Sequence, residues 1–532
     1  MMNKQLVLYV RFIKFILPYR RKWLLVLFFN VLAGLLSLII PYLTKDVVDT
    51  AMGKKDFGVF LKLAIIGGSV FAIGELFNRL SYCFQRGINL KVNFDLHKKV
   101  FQHLQYLSYS WFQGKSTGEH IFKVNYDIDA ATEFVTGSLP QVLLILPRAI
   151  LILFIVFYLN WKIALCGFLL SPLVFLPPYF FSRIMGKYYQ KIIESSEGIT
   201  QYLQEVFSHI QLVKIWPAEK RAIRCFSRKL IANIRLSLSA LKVEIASGII
   251  VEFITKLIIG LITFYGGYLV IKQDLTLGSL TAIMVYLSQL AGLQEQFSGF
   301  WQASISGTIS CGRIAEILDI ETQIRDRAGA RNIEFKSPDV RFDKVNFGYR
   351  GSEFVVRNIS FFIKSGEFVA LVGPSGAGKT TILNLLVRLY EPQEGSISID
   401  NQDIQSVKLD SLKSQIGFAM QEHFLFDDTI FNNIAYCRGV STAEEVEEVS
   451  RLAGVDDFVK ELPLGYQTVI GENACKLSEG QKQKIAIARA LLKKPKILIL
   501  DEAMASMDSA SEEKIILNIK EEYKGMAVII VS

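Results

Sequence analysis

Long apolar segments dominate the first 300 residues of the chain and give way afterwards to short ones. Six of them are long enough for a helix to cross a hydrocarbon core of about 30 Å, and they lie near 23–43, 60–82, 140–159, 161–181, 247–271 and 278–300. The later apolar runs are strand-sized and alternate with helical periodicity. The pattern therefore predicts an all-α, six-helix transmembrane domain followed by an α/β domain.

The polar segments between these spans are of unequal length. Those after the second and fourth spans contain about 55 to 65 residues, with helical periodicity and many Lys and Arg. The other connections are short. We therefore expect two long helical extensions on the cytoplasmic side of the membrane.

Composition agrees with a membrane protein, because 51% of the residues are hydrophobic and the mean hydropathy is +0.33, above what soluble chains usually show. The apolar segment near residue 23 begins too late and runs too long for a cleaved signal peptide. The residues before it place the N-terminus in the cytoplasm by the positive-inside rule, since they include no acid and contain Lys4, Arg11, Lys14, Arg20, Arg21 and Lys22.

The net charge of +9 does not indicate nucleic acid as a partner. The basic surplus lies beside the membrane spans, where anionic lipid headgroups account for it. The cysteines show no metal-type spacing and suit a reduced compartment; they are Cys83, Cys166, Cys225, Cys311, Cys437 and Cys475.

A glycine-rich loop indicates the chemistry of the α/β domain. It follows an apolar strand predicted at 368–372 and precedes a helical run, the context that a phosphate loop requires. Its glycines let consecutive backbone N–H groups turn inward around a polyphosphate. We predict ATP binding by the loop residues Gly373, Pro374, Ser375, Gly376, Ala377, Gly378, Lys379, Thr380 and Thr381.

Two acidic residues end the apolar strand predicted at 497–500. Asp501 and the Thr380 hydroxyl would ligate Mg²⁺, while the Lys379 ammonium would reach the β- and γ-phosphates. A carboxylate at Glu502 can orient and deprotonate an attacking water, which is the task of a general base. The sequence thus predicts hydrolysis of Mg-ATP.

The pentapeptide Leu477, Ser478, Glu479, Gly480 and Gln481 opens a helical run between these two motifs. With it, the chain resembles the ATP-binding cassette transporter family from end to end, in the type-1 exporter architecture. The resemblance implies that Ser478 and Gly480 bind, in trans, the γ-phosphate held by an opposite subunit. Catalysis would then need a dimer.

Three further positions resemble family motifs. Tyr349 resembles the aromatic residue that stacks on adenine, although a sheet-edge aromatic is the alternative. Gln421 resembles the glutamine that contacts Mg²⁺ and takes part in catalysis. Asp508 resembles the aspartate of the D-loop.

Three departures from the family pattern affect these expectations. Glu479 replaces the usual glycine and would place a carboxylate near the partner's γ-phosphate, but intact Ser478 and Gly480 suggest a variant site rather than a dead one. Met507 replaces the usual leucine with a similar volume. The sequence stops at Ser532, before the family's γ-phosphate-sensing histidine, and His423 cannot replace it. We therefore expect an incomplete domain with slow turnover.

Two cytoplasmic stretches, 116–127 and 210–219, resemble the family's coupling helices. Ordinary amphipathic helices are the alternative for both. Ionisable residues within the spans point inward, because they are costly in lipid, and either line a transport cavity or satisfy one another; they are Glu75, Arg79, Arg148, Glu252, Lys256 and Glu295.

These observations predict a transmembrane domain at 1–320, a linker at 321–339 and a nucleotide-binding domain at 340–532. The resemblance implies an ATPase of a bacterial plasma membrane, with its N-terminus and nucleotide-binding domain in the cytoplasm. Paired with a second half-transporter, it would export or flip an amphipathic drug, lipid or peptide. An exporter-shaped importer and a poorly hydrolysing regulatory subunit remain alternatives.

Overall fold

The computed structural model describes residues 8, 10–114, 116–322, 324–349, 353–422, 424–471 and 474–531. His423 and Ser532, which enter the sequence interpretation, lie outside the described residues. The chain forms two compact units. The first contains Met1–Tyr106 and Trp111–Glu321, and the second contains Leu107–Ser110 and Thr322–Ser532.

Long helices make up the first unit, and short π-helical turns join some of them. In chain order the helices up to residue 318 are α1 Arg20–Asp46, α2 Phe57–Tyr106, α3 Tyr109–Gln113, α4 Thr117–Phe122, α5 Ile128–Glu133, α6 Leu139–Leu159, α7 Trp161–Ser208, α8 Ile210–Ile215, α9 Glu219–Ile271 and α10 Leu277–Leu318. Of the stretches that resemble coupling helices, 116–127 lies on α4 and the π-helical turn Lys123–Asp127, and 210–219 lies mainly on α8. Helix α2, with 50 residues, is about 75 Å long at 1.5 Å per residue, far more than a membrane core requires.

Among the described residues, five helical segments are long and apolar enough to cross a membrane. They contain the predicted spans at 23–43, 60–82, 140–159 and 247–271 and most of the one at 278–300. The remaining predicted span, 161–181, lies on α7. Within the described residues, the apolar stretch there is Trp161–Leu170. Every predicted span is therefore helical.

The interior of the first unit is apolar, with fully buried Ile152, Ile163 and Ile283 among its members. Buried Tyr286 joins α10 to α1, since its hydroxyl donates a 2.6 Å hydrogen bond to the carbonyl oxygen of Leu38. A phenol buried among apolar side chains needs such an acceptor. Contacts of this kind hold α10 against the start of the bundle.

A charged cluster joins three segments of the helical extensions. Asp127 is fully buried, accepts a 2.9 Å hydrogen bond from the Ser310 hydroxyl and lies 3.0 Å from the Nε of Arg313. Arg313 also pairs with Glu197 on α7. A buried carboxylate is stable only when it is paired, so Arg313 links the segment before α5 to both α7 and α10.

The second unit contains two four-stranded sheets and shorter helices. The strands are β1 Val340–Phe347, β2 Val356–Ile363, β3 Phe368–Leu371, β4 Glu394–Ile399, β5 Gln402–Asp403, β6 Ile416–Ala419, β7 Ile497–Asp501 and β8 Ala527–Val531. The helices are α11 Lys379–Leu386, α12 Leu409–Ser414, α13 Ile430–Ala435, α14 Ala443–Leu452, α15 Asp456–Val459, α16 Glu479–Leu491 and α17 Ser509–Glu522.

One sheet is antiparallel, in the order β2-β1-β4-β5, and the other is parallel, in the order β3-β8-β7-β6. The two central strands, β7 and β8, are buried and apolar, as strands covered on both faces require. In register, Val531 lies between Leu371 and Asp501. The carboxyl ends of β3, β7 and β8 therefore meet at one edge, where ligands bind in open α/β sheets.

The segment predicted as a linker is attached to the second unit. Arg331 pairs with Val407 through an isolated bridge, and the fully buried Arg388 donates to the carbonyl oxygens of Arg325, Ile404 and Val407. Glu391 accepts two further bonds from Arg388. These bonds fix the polypeptide from residue 325 onward on the surface of the second unit.

Candidate nucleotide-binding site

The glycine-rich loop connects β3 to α11 and turns sharply at two positions. Gly376 and Gly378 have φ angles of +83° and +90°, a conformation that side chains disfavour. A Cβ added to Gly378 would also lie 3.2 Å from the Val356 side chain. The backbone geometry thus requires glycine at both positions and turns the loop into the N-terminus of α11.

Lys379, the first residue of α11, remains at the loop. Its Nζ donates a 2.6 Å hydrogen bond to the carbonyl oxygen of Gly373. The ammonium therefore lies among the backbone groups that would surround a polyphosphate, where a point charge adds to the helix N-terminus.

Asp501 ends β7 beside this loop. Its carboxyl is buried close to the Thr380 hydroxyl, and burial, followed by the charge of Glu502, raises its pKa above the usual value. Lys379 and Thr380 act in the opposite direction. A carboxylate that is costly to ionise gains most from a cation, so Asp501 and Thr380 form an oxygen pair suited to Mg²⁺.

Glu502 is held from two sides. Its N–H donates to the carbonyl oxygen of Val531, and its Oε2 accepts a 2.6 Å hydrogen bond from the Nε2 of Gln421. The backbone of Glu502 has a φ of +48°, a strained value for a residue with a side chain. Its carboxylate therefore faces Gln421, just beyond β6.

Tyr349 lies at the end of the antiparallel sheet. Its hydroxyl is 3.0 Å from that of Thr381, and its ring makes edge-on contacts with Phe347 and Tyr390. Tyr349 is thus next to the phosphate-loop helix. Its role in adenine stacking stays a prediction, because these contacts are compatible with both interpretations of the ring.

The pentapeptide Leu477–Gln481 begins α16. Ser478 is the N-cap residue, and it forms a capping box in which its hydroxyl accepts from the N–H of Gln481 while the Gln481 side chain accepts from the N–H of Ser478. Leu477 is buried and anchors the turn. Gly480 approaches the Ser506 carbonyl so closely that an added Cβ would lie 3.3 Å away, which explains the small residue there.

Glu479 is paired within its own helix. Its carboxylate lies 3.4 Å from the Nζ of Lys482, three residues later. Sequence interpretation overlooked this partner, although the i, i+3 spacing of opposite charges on a predicted helix was a usable signal.

Gln483 is a second residue that sequence interpretation overlooked. It is buried and accepts a hydrogen bond from the N–H of Ser506, which links α16 to the turn that contains Asp508.

The structure therefore brings Lys379, Thr380, Asp501, Glu502 and Gln421 to one edge of the parallel sheet. Within the described residues, no hydrogen bond or ion pair links the pentapeptide to the phosphate loop, and no cluster of three His, Cys, Asp or Glu could hold a metal by itself. Asp508 caps α17 by accepting from the N–H of Ser511, which lowers its pKa.

Comparison with known proteins agrees with this geometry. Residues 23–294 match the ABC transporter transmembrane region, and residues 356–505 match the ABC transporter family. The chain is 33% identical to an ATP-dependent lipid A-core flippase of Desulfotalea psychrophila, covering 97% of the chain and 90% of that protein. It is 30% identical to a Staphylococcus aureus protein provisionally named a multidrug export ATP-binding/permease protein, and the match covers 94% of the chain and 88% of that protein.

A solved structure described as a bacterial Atm1-family ABC exporter with ATP bound matches with a TM-score of 0.87 and 28% identity. The alignment covers 96% of the chain and 91% of that structure. The architecture expected from the sequence, helical membrane domain first and α/β domain second, is thus confirmed. The chain is an integral membrane protein of the ATP-binding cassette transporter family, an ATPase of the exporter type that couples ATP hydrolysis to transport.

Proposed function

We propose that two half-transporters, each built like this chain, use Mg-ATP to export or flip an amphipathic solute across a bacterial plasma membrane. The observation that carries the proposal is the meeting of Lys379, Asp501 and the Gln421–Glu502 pair at one sheet edge. Relatives named for lipid flipping and drug export support the amphipathic character of the cargo.

The residues divide the work of hydrolysis. The backbone N–H groups of residues 373–380 and the Lys379 ammonium bind the phosphates, and Thr380 and Asp501 hold Mg²⁺. Bound Mg²⁺ would neutralise phosphate charge. Glu502 takes the proton of the attacking water, and the amide of Gln421 keeps the Glu502 carboxylate in one orientation by donating to it.

The pentapeptide serves a second subunit in this proposal. Ser478 and the N-terminus of α16 are exposed, and within the described residues they have no link to the phosphate loop of their own chain. A helix N-terminus attracts anions. A partner's γ-phosphate is the anion that fits, so two chains would close over two ATP molecules.

Glu479 supports a second candidate, a subunit that hydrolyses slowly. A carboxylate at this helix N-terminus opposes an incoming phosphate, although Lys482 offsets part of its charge. In this candidate the chain pairs with a more active half-transporter.

Reconstitution in proteoliposomes tests both candidate functions, the active exporter and the slowly hydrolysing subunit. We expect ATP hydrolysis that rises with protein density as dimers form, together with ATP-dependent movement of a fluorescent amphiphile. Vesicles sorted by orientation give the direction. A chain that binds ATP and moves amphiphiles only after a second half-transporter is added would identify the slow-subunit role; ATP hydrolysis without movement of any amphiphile would refute transport of such solutes.

A further inference from the structure

Two neighbouring cavities lie within the first unit, among helices α6, α7, α9 and α10. Their volumes are about 510 Å³ and 600 Å³. They share five lining residues, Pro178, Thr255, Ile259, Ala291 and Gln294. The two cavities therefore adjoin at these residues, and we call them the apolar chamber (the 510 Å³ cavity) and the acidic chamber (the 600 Å³ cavity).

The chambers differ in chemistry. The apolar chamber is lined by side chains such as Ile145, Leu153, Val174 and Leu290. The acidic chamber is lined by Glu244, Glu252, Lys256 and Glu295 in addition to small and apolar residues. A volume of several hundred Å³ suits a drug-sized ligand. The change from apolar to charged lining fits a ligand with one apolar end and one charged end.

The charge of the acidic chamber is negative. Glu252 and Lys256 pair at 2.5 Å, one helical turn apart. Glu244 and Glu295 have no ion pair among the described residues. Carboxylates within helices that cross a membrane are costly without a counter-charge. With three carboxylates and one ammonium among its lining residues, the acidic chamber has a net negative charge that favours a cationic ligand group.

Gln294 lies where the chambers meet and is only 8% exposed. Its Oε1 accepts a 3.2 Å hydrogen bond from the Thr255 hydroxyl, which fixes the orientation of the amide. The Nε2 is buried and has no hydrogen-bond partner within the part of the chain that the structure describes. Native structures rarely leave a buried amide donor unsatisfied, so this N–H is available to a hydrogen-bond acceptor on a ligand.

We propose that these chambers bind the cargo, and that the cargo is an amphipathic cation with a hydrogen-bond acceptor between its two ends. Its apolar body occupies the apolar chamber, its acceptor receives the Nε2–H of Gln294, and its cationic group faces Glu244 and Glu295. This inference rests on the proposed transport function and adds the charge of the substrate, because an anionic amphiphile would be repelled by the same two carboxylates.

Binding to the full chain in phosphatidylcholine nanodiscs tests the proposal. The probes are rhodamine 6G, a cation with an ester carbonyl, and sulforhodamine B, which has the same ring system with a net negative charge. Fluorescence anisotropy is measured, with empty nanodiscs subtracted. We expect rhodamine 6G to bind at least about ten-fold more tightly, as like-charge rejection predicts.

Three variants locate the site. Glu295→Gln and Glu244→Gln should each weaken rhodamine 6G binding about five-fold by removing one charge contact, and Gln294→Leu should weaken it similarly by removing the donor. Glu295→Asp keeps the charge and should retain binding. Glu316→Gln, an exposed carboxylate on the same helix outside both chambers, should leave binding unchanged.

Equal affinity for the two probes, or unchanged cation binding in the Glu244→Gln, Glu295→Gln double variant, would overturn the inference. Melting temperatures near that of the unmodified chain show that a weakened variant is folded, and Glu295→Asp separates charge from packing. ATP-driven movement of amphiphiles without charge preference would remove this inference and keep the proposed function. If the protein moved no amphiphile at all, both this inference and the proposed function would be refuted.

Discussion

The Nε2 of Gln421 donates a 2.6 Å hydrogen bond to the Oε2 of Glu502 across 81 residues of sequence. The two side chains come from positions just beyond β6 and β7, which are parallel neighbours in the sheet. A glutamine amide can hold a carboxylate without taking its proton. The bond therefore positions Glu502 and leaves its second oxygen to accept from water.

Replacing Glu502 by Gln should separate binding from hydrolysis. The variant can still accept a bond from Gln421 through its amide oxygen, so the local structure survives while the proton acceptor is lost. We expect ATP binding within about two-fold of the unmodified chain and an ATPase rate at least about 100-fold lower, the usual contribution of a general base. Steady-state hydrolysis and fluorescent-nucleotide binding measure the two quantities.

Glu513→Gln is the matched control, because Glu513 is an exposed carboxylate on α17 away from the sheet edge. Its ATPase rate should not change. An unaltered rate in Glu502→Gln would mean that another group takes the proton.

Asp501→Asn should stabilise the nucleotide-free chain and remove its response to Mg-ATP. Because burial and Glu502 raise the Asp501 pKa, the folded chain binds this proton more readily than the unfolded chain does. The stability contributed by the protonated form is present at low pH and lost as pH rises through the folded pKa. At neutral pH the ionised group is therefore a cost, which Asn removes.

Melting curves with and without Mg-ATP, recorded from pH 5 to pH 8, test this. The Asp501→Asn variant should melt at a higher temperature without nucleotide, with a smaller decline toward high pH, and should gain nothing from Mg-ATP. A variant that is still stabilised by Mg-ATP would show that Mg²⁺ is held without Asp501.

Lys482 should reduce the unfavourable effect of the Glu479 carboxylate on ATP-driven association of two chains. Lys482→Gln leaves the Glu479 carboxylate without its 3.4 Å partner, and a carboxylate facing phosphate should weaken ATP-driven association by about 0.5–1 kcal/mol, the value of one partly exposed ion pair. In the Glu479→Gly background the same change should have no effect. Association is measured by light scattering against ATP concentration.

The control at this site is Lys476→Gln, a nearby exposed lysine whose ammonium donates to the Val469 carbonyl oxygen instead. If Lys482→Gln weakens association equally with and without Glu479, Lys482 acts on the phosphate directly.

The charged cluster of the helical extensions should be a main determinant of stability. Arg313→Met leaves fully buried Asp127 without a counter-charge, which is expected to cost about 3–5 kcal/mol in the free energy of unfolding. Adding Asp127→Asn should recover part of the loss. Thermal or denaturant unfolding of the purified chain gives the difference.

Arg11→Met provides the comparison, because Arg11 pairs with Asp319 at 2.7 Å on an exposed surface. An exposed pair contributes less than about 1 kcal/mol. Equal destabilisation by both variants would mean that burial of Asp127 does not set the energy of the cluster.

Local motifs explain why much of the site was predictable from sequence. The glycine-rich loop, Lys379, Thr380 and Asp501 lie beside strands whose apolar character is evident in the chain, and carboxyl ends of parallel strands meet at one edge. The contact between Gln421 and Glu502 depends in addition on β6 and β7 being neighbours. Sequence periodicity does not specify strand order.

Other features depended on contacts between distant segments. Asp127 and Ser310 are 183 residues apart, and neither belongs to a pattern that indicates a buried charge. The hydroxyl contact between Tyr349 and Thr381 likewise joins the segment after β1 to α11, and the sequence does not show that these two segments lie close together. The membrane spans could be predicted from the sequence, because length and hydropathy are properties of a single segment.

The capping box at Ser478 has a consequence for the entropy of nucleotide binding. The hydroxyl of Ser478 and the side chain of Gln481 fix the first turn of α16 through bonds within that turn, so the ordering of the turn is completed when the protein folds. A γ-phosphate that arrives from a partner would meet a rigid receptor. Ser478→Thr, which keeps the cap, should then bind with the entropy of the unmodified chain, whereas Ser478→Gly would defer ordering to the moment of binding.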